Sequence, residues 1–93
     1  MRYELAFLDE ALKEWRKLDS NTRDHFKSKL RERLDSPHVP SAKLSGAKNR
    51  YKIKLRSVGY RLVYEVKDRI LLVVVIAVGR RERDEVYRLA EKR

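Results

Sequence analysis

The segment "YKIKLRSVGYRLVY", residues 51–64, concentrates positive charge in a pattern typical of a β-hairpin. Apolar and basic residues alternate along it, as they do in strands that bury one face. Like charges on one face of a sheet repel each other, so their retention suggests an anion bound between them. The alternative is a face that is simply solvated. The basic residues of this segment are Lys52, Lys54, Arg56 and Arg61.

The register of this hairpin follows from its hydrophobic pattern. A two-residue turn at Val58 and Gly59 keeps the apolar side chains of both strands on one face, whereas a three-residue loop would place Arg61 beside Leu55. We therefore predict the shorter turn. The predicted cross-strand pairs are Leu55 with Leu62, Ile53 with Tyr64, Arg56 with Arg61 and Lys52 with Glu65.

A second basic cluster, "VGRRERDEVY", begins where the longest apolar run ends. We expect one or two of its arginines to reach back toward the sheet, although Arg83 could instead pair with a neighbouring glutamate. Tyr87 flanks the apolar stripe of a short helix, which leaves its ring free to stack on a base, unless it joins the core. The arginines of this cluster are Arg80, Arg81 and Arg83.

Basic side chains beside an exposed aromatic ring suit a phosphodiester. The sequence has no metal-ligand cluster, Gly-rich phosphate loop or nucleophile elbow, and His25 and His38 are expected to be surface histidines. RNA cleavage without a metal would use the ribose 2′-hydroxyl as nucleophile, which needs a base, charge stabilisation and in-line geometry. A lysine can serve as the base if neighbouring cations lower its pKa. Lys52 and Lys54, about 6 to 7 Å apart along one strand face, are placed for this effect.

The elements that position these residues can be read from periodicity. Residues 2–8 alternate as a strand; helical spacing runs from Asp9, a candidate N-cap, to near Asp19, and resumes after a cap at Ser20 or Asn21 until Pro37. A loop over 35–49 precedes three strands, and a short helix follows them. The predicted fold is α+β: a small, mostly antiparallel four-stranded sheet with a helical hairpin on one face and a short C-terminal helix. The three later strands are predicted at about 50–57, 60–67 and 69–78.

Composition narrows the partners and the location. The 93 residues suit one domain over 1–93, and Lys and Arg outnumber Asp and Glu by 24 to 14, which gives a formal net charge of +10. So basic a chain usually has an anionic partner such as nucleic acid. There is no cysteine and no apolar signal core, and the run at 70–78 is too short to cross a bilayer. We expect a cytoplasmic protein that does not bind membranes.

Three motifs carry a resemblance to a known family. "ALKEWRKL", "YKIKLRSVGYRLVY" and "VGRRERDEVY", in this order, resemble the RelE toxins of bacterial toxin–antitoxin systems, and the similarity runs essentially from end to end. The resemblance implies a fold like that of microbial ribonucleases. It also implies ribosome-dependent cleavage of mRNA in the A site, which arrests translation, without a cofactor or metal.

The resemblance also assigns roles and partners. It implies Lys54 as general base, Lys52 and Arg61 as phosphate stabilisers, Tyr87 stacking on the nucleotide, and Arg81 as the acid for the departing oxygen or as a charge stabiliser. Arg56, Arg80 and Arg83 would support RNA binding. The implied partners are mRNA, the ribosome with its 16S rRNA, a RelB-like antitoxin that displaces the C-terminal helix, and operator DNA, reached only through the repressing toxin–antitoxin complex.

Two departures and two alternatives remain. Ser45 stands where relatives carry an arginine, and the chain lacks their short apolar ending after Lys92 and Arg93, so we expect a loosely held last helix. The alternatives are a non-catalytic RNA- or ribosome-binding protein and a ParE-like toxin that inhibits DNA gyrase. The first would bind through the same basic face without cutting mRNA. The second should not depend on Arg81.

Overall fold

The computed structural model describes residues 2–80 and 82–93, and for Arg83 the backbone alone. Seven helices and strands of this described part carry the fold, with single 3₁₀ turns between some of them. Four strands and three helices follow in the order β1 (Glu4–Phe7), α1 (Asp9–Arg16), α2 (Ser20–Asp35), β2 (Arg50–Leu55), β3 (Tyr60–Lys67), β4 (Leu72–Arg80) and α3 (Glu85–Lys92).

The strands form one sheet in the order β1-β4-β3-β2. Strand β1 runs parallel to β4, and the other two pairings are antiparallel. The α+β prediction is therefore confirmed. The apolar run forms β4, which lies inside the sheet and buries residues on both faces, as expected of a strand without alternation. It begins at Leu72, because Asp68–Ile70 form a 3₁₀ turn that Leu71 closes in the left-handed region.

Each face of the sheet has its own apolar layer. The helical hairpin of α1 and α2 packs on one face, where Trp15, Phe26 and Leu30 meet Leu62 and Tyr64 of β3. We call this the hairpin face. Helix α3 packs on the other face, which we call the α3 face, through residues that include Val63, Ala77, Val86 and Ala90. Alternation along β3 thus supplies both layers.

The helix boundaries differ slightly from the sequence interpretation. Asp9 is the first residue of α1 rather than its cap, and α1 ends at Arg16. Helix α2 is capped by Asp19, whose carboxylate accepts the backbone N–H of Thr22, and not by Ser20 or Asn21. Hydrogen bonding from the Thr22 side chain, with a smaller contribution from the Thr22 backbone N–H, holds the pKa of Asp19 below its ordinary value, since both favour the ionised carboxylate.

The register predicted for the β2–β3 hairpin is wrong by two residues. Ile53 pairs with Leu62 and Lys54 with Arg61, so four residues, 56–59, form the loop. A shift of two leaves every side chain on its predicted face, because the alternation has period two. Arg56 is therefore in the loop and not opposite Arg61. Glu65 pairs with Arg50 instead of Lys52.

Helix α3 is anchored by two arginines that the sequence analysis did not anticipate. Arg50 on β2 donates to the carbonyl of Ala90. Arg93 donates to both carboxylate oxygens of Glu14 on α1, each at 2.9 Å, and to the carbonyl of Ile76. Instead of the loosely held helix expected from the sequence, α3 is tied to the sheet and to α1.

Asp68 is the centre of a polar cluster that includes Tyr3, the residue before β1, and His38. The hydroxyl of Tyr3 donates to Asp68 at 2.6 Å, and His38 lies between the same carboxylate and the hydroxyl of Tyr51. His38 is exposed, as predicted, but it is bonded on both ring nitrogens. The Tyr3 hydrogen bond, followed by that of His38, lowers the pKa of Asp68.

In the part of the chain that the structure describes, no helix is long and apolar enough to cross a membrane. The run of apolar residues that could have raised this question is the buried strand β4.

The packing of α3 on β4 predicts a steric limit at Gly79. A Cβ at this position would lie 3.0 Å from Cγ2 of Val86. We expect Gly79→Val to lower the free energy of unfolding by about 1 to 3 kcal/mol through overpacking. Urea denaturation followed by Trp15 fluorescence measures this. In a Val86→Ala background, Gly79→Val should lower the free energy of unfolding by clearly less. An equal decrease in both backgrounds would contradict the steric explanation.

The Asp68 cluster predicts a pH-dependent contribution to stability. Because its pKa is lower in the folded state, Asp68 stabilises the fold above its unfolded pKa of about 3.9, and this contribution disappears as the pH falls through the lower folded value. We expect wild type to be more stable than Asp68→Asn at pH 6, with the difference shrinking toward pH 3, in urea titrations at each pH. The control is Asp24→Asn, at an exposed position on α2. A difference that does not vary with pH would contradict the assignment.

Candidate functional site

The β2–β3 hairpin brings together three of the predicted site residues. Lys54 lies directly opposite Arg61, and Lys52 lies opposite Val63, two residues further along the same face. This is the α3 face, because Val63 belongs to the layer beneath that helix. The alternating sequence thus delivers the cations to one face while Ile53 and Leu62 fix the strands from the other.

Arg61 is almost buried, with 8% of its surface exposed. Its neighbours across the sheet are Lys54 on β2 and Gly79 on β4, and its Nη1 donates to the carbonyl of Tyr60 at 3.2 Å. A guanidinium remains protonated in proteins, so its charge persists despite burial. The site therefore holds a fixed positive charge, shielded from water, next to the exposed Lys54.

Lys52 and Tyr87 line an open groove of about 1000 Å³ on the same face. Its lining comes from the segment 43–48, from Arg50 and Lys52 at the start of β2, and from residues of α3. Tyr87 is half-buried, which is consistent with its predicted place at the edge of the apolar stripe of α3. The structure thus places an aromatic ring and a lysine on one groove, as the nucleotide-binding interpretation requires.

Glu65, which lies on β3 opposite Arg50, is a carboxylate on this groove, and it already forms two ion pairs. Arg50 and Lys67 each approach one of its oxygens to 2.9 Å. Burial alone would raise the pKa of Glu65, but the hydrogen bonds from Lys67 and Arg50 outweigh it and lower the pKa. Glu65 is therefore a poor proton acceptor, and its charge is already paired with those of Arg50 and Lys67.

The remaining basic residues named from the sequence are dispersed. Arg56 is exposed in the hairpin loop. Arg80 lies with its guanidinium over the ring of Tyr60, 5.4 Å from the centroid, and Tyr60 packs on the hairpin face. The structure therefore separates Arg80 from Lys54 and Arg61. Arg81 lies outside the described residues, as does the side chain of Arg83.

Three further arginines support the site without having been singled out from the sequence. Arg33 on α2 donates to the carbonyl of Lys52 at 3.2 Å and to the hydroxyl of Tyr64 at 2.9 Å. Arg50 and Arg93 hold α3, as described above. Of these contacts, only the Arg50–Glu65 pair could have been predicted from the sequence, as opposite charges facing each other across the hairpin. The incorrect register paired Glu65 with Lys52 instead and so concealed it. The others join residues far apart in sequence.

Within the described residues no group of three or more His, Cys, Asp and Glu side chains could hold a metal ion. The chemistry that the α3 face itself offers comes from an amine at Lys54, guanidinium charge at Arg61 and a phenol at Tyr87. These groups can bind a phosphodiester, accept a proton and stabilise a phosphorane. Their individual catalytic roles stay predictions.

Comparisons with known proteins match toxins of toxin–antitoxin systems. A family model described as the ParE toxin of the type II toxin–antitoxin system, parDE, matches residues 5–85. The mRNA interferase toxin RelE of Escherichia coli K12 is 57% identical over 93 residues, which are 100% of this chain and 98% of that protein.

Solved structures give the same result. A mutant of E. coli toxin RelE in the free state superposes with a TM-score of 0.92 at 54% identity, covering 99% of this chain and 97% of that one. The RelE chain of the intact E. coli RelBE toxin–antitoxin complex matches with a TM-score of 0.84 at 56% identity, over 87% of this chain and 99% of that one. With more than half of its residues identical over its full length, the chain belongs to the RelE toxin family.

Proposed function

We propose that this protein is the toxin of a type II toxin–antitoxin system and cleaves mRNA on the ribosome. The observation that carries the proposal is the pair of Lys54 and nearly buried Arg61 on a face that continues into the groove lined by Lys52 and Tyr87. A relative named mRNA interferase, 57% identical over the whole chain, supports the activity. A structure titled as the intact RelBE complex supports a RelB-like antitoxin as partner.

The proposed reaction uses groups on the α3 face and, for the departing oxygen, Arg81, the role that the family resemblance implies for it. Lys54 accepts the proton of the ribose 2′-hydroxyl, and that oxygen attacks the adjacent phosphorus. The bond to the 5′-oxygen of the next nucleotide breaks, leaving a cyclic phosphate and a 5′-hydroxyl. Lys52 and Arg61 stabilise the charge on the phosphorane, and Tyr87 stacks on the nucleotide. Arg81 either protonates the departing oxygen or stabilises its charge while water supplies the proton.

No step of this route requires a metal. Cations fixed in the fold supply the electrostatic stabilisation that a metal ion supplies in other nucleases. The A site of the ribosome would supply the in-line arrangement of the RNA, and 16S rRNA would contact the basic surface. A protein that acts on ribosomes in this way would work in the cytoplasm, and we expect it to contact operator DNA only through the complex with the antitoxin.

The ParE description of the matching family model gives a second candidate, inhibition of DNA gyrase. The basic pair and the groove on the α3 face favour an RNA substrate over this target. Toxicity that persists in Arg81→Ala together with DNA damage, rather than arrested translation, would favour gyrase.

The role of Lys54 is tested by mapping cuts in a defined mRNA on ribosomes with an empty A site, using primer extension. We expect cuts confined to the A-site codon, and Lys54→Ala to slow cleavage by about 10²- to 10⁴-fold, the usual contribution of a general base. The matched control is Lys29→Ala, which removes the same charge from an exposed position of α2. Equal losses in both variants would assign Lys54 to non-specific charge attraction, and no cut by wild type would leave a binding protein.

Free RNA should be cut poorly. The groups to which the proposal assigns the chemistry are an amine, guanidinium groups and a phenol rather than a carboxylate–histidine pair, so the rate depends on geometry imposed from outside. The same mRNA without ribosomes, incubated at the same protein concentration and mapped in parallel, measures this. Vigorous cleavage in that lane would overturn the ribosome dependence while retaining the nuclease.

A further inference from the structure

The Arg93 side chain joins three elements in one polar contact. Its guanidinium makes a two-pronged ion pair with Glu14 on α1, in which both N–O distances are 2.9 Å, and it donates to the carbonyl of Ile76 on β4 at 2.9 Å. Glu14 in turn accepts the backbone N–H of Val78 at 3.0 Å. Glu10, mostly exposed, approaches Arg93 at 3.5 Å. We call the contact of Arg93 with Glu14 and Ile76 the Arg93 clamp.

The clamp is sheltered from water. The side chain of Arg93 is 10% exposed and that of Glu14 is 23% exposed. Two-pronged guanidinium–carboxylate contacts fix an orientation as well as a distance, and low exposure reduces their screening by salt. Removing one partner would leave the other charge partly buried without compensation, which makes such pairs costly to break.

Helix α3 depends on this contact because its apolar attachment is small. The helix has eight residues, of which Val86 and Ala90 are buried. Helices this short are not stable by themselves, so the position of α3 is set by what holds it to the sheet. Beyond the apolar layer, to which Tyr87 and Leu89 add partly buried contacts, the polar attachments of α3 among the described residues are the Arg50 bond to Ala90 and the Arg93 clamp.

Tyr87 is carried by the same helix and lines the groove with Lys52. A rotation or lift of α3 would move the ring away from that lysine without altering β2 or β3. We propose that Arg93 is a positioning residue: by clamping α3 to Glu14 and Ile76, it holds Tyr87 at the groove in the orientation that RNA cleavage needs. This inference rests on the proposed nuclease function and adds to it Arg93, the residue that follows α3 and that also borders the groove.

The experiment measures the helix and the reaction separately. Hydrogen exchange in the free protein compares the amides of α3 with those of β4 in wild type, Arg93→Ala, Arg93→Lys and Lys92→Ala. Lys92 is the matched control, because it is exposed on the same helix and its loss removes the same charge. We expect exchange of the α3 amides to rise about tenfold or more in Arg93→Ala, with β4 unchanged, a smaller rise in Arg93→Lys, and no change in Lys92→Ala.

Single-turnover cleavage on ribosomes then tests whether the clamp acts through Tyr87. We expect Arg93→Ala to lower the rate at saturating ribosome concentration by about tenfold or more, with the half-saturating concentration changed by less than about twofold, because misplacement impairs the reaction more than binding. In a Tyr87→Ala background, Arg93→Ala should have little further effect, since both changes remove the same contribution.

Three results would overturn the proposal. The first is unchanged exchange of the α3 amides in Arg93→Ala. The second is an equal decrease in cleavage rate when Arg93→Ala is introduced into wild type and into Tyr87→Ala. The third is an effect of Lys92→Ala equal to that of Arg93→Ala. If wild type itself leaves mRNA uncut, the proposed function fails and the role of Arg93 in cleavage fails with it. The exchange measurement still decides whether Arg93 holds α3, so the two failures are distinguishable.

Discussion

The placement of Lys54 directly opposite Arg61 is the constraint on which the rest of the structure depends. Like charges in a cross-strand pair repel, and an arginine that is 8% exposed has given up most of its hydration. The hairpin face offsets this cost, because Ile53 and Leu62, next to the charged pair, are buried beneath α1 and α2. A slip of one residue would expose that apolar layer, so the same burial that stabilises the sheet also keeps the two charges together.

The helices cover the two faces of the sheet to different extents, and the groove with Lys52 and Tyr87 lies on the less covered face. On the hairpin face the apolar layer extends to β2, whereas on the α3 face the helix packs against β4 and β3 and the outer part of β2 stays open. Gly79 permits the close approach of α3, since a Cβ there would meet Val86. Lys52 and Tyr87 consequently line a groove rather than a closed core, which gives an extended polymer access to the basic strand.

Periodicity predicted the faces of the sheet but not its details. Alternation in β2 and β3 was enough to place Lys54 and Arg61 together, and the apolar run was enough to identify β4. The hairpin register was wrong because apolar alternation has period two and does not distinguish loops that differ by two residues. Arg61 is buried only in the assembled sheet, where Lys54 and Gly79 flank it, and the contact of Arg93 with Glu14 spans almost the whole chain. Neither feature could therefore be predicted from neighbouring residues in the sequence.

A ribonuclease that acts without a partner would use an imidazole or a carboxylate for proton transfer. In this sheet, His38 and Asp68 lie away from the basic pair of Lys54 and Arg61. His38 contacts Tyr51, which packs on the hairpin face, and Asp68 is held in the same cluster. Glu65 shares the groove but is bound by two cations and has a lowered pKa. A site left with an amine and fixed positive charge binds phosphate readily, yet it does little to orient a flexible chain for in-line attack. The proposed dependence on a partner that holds the RNA in position rests on this division of the two faces.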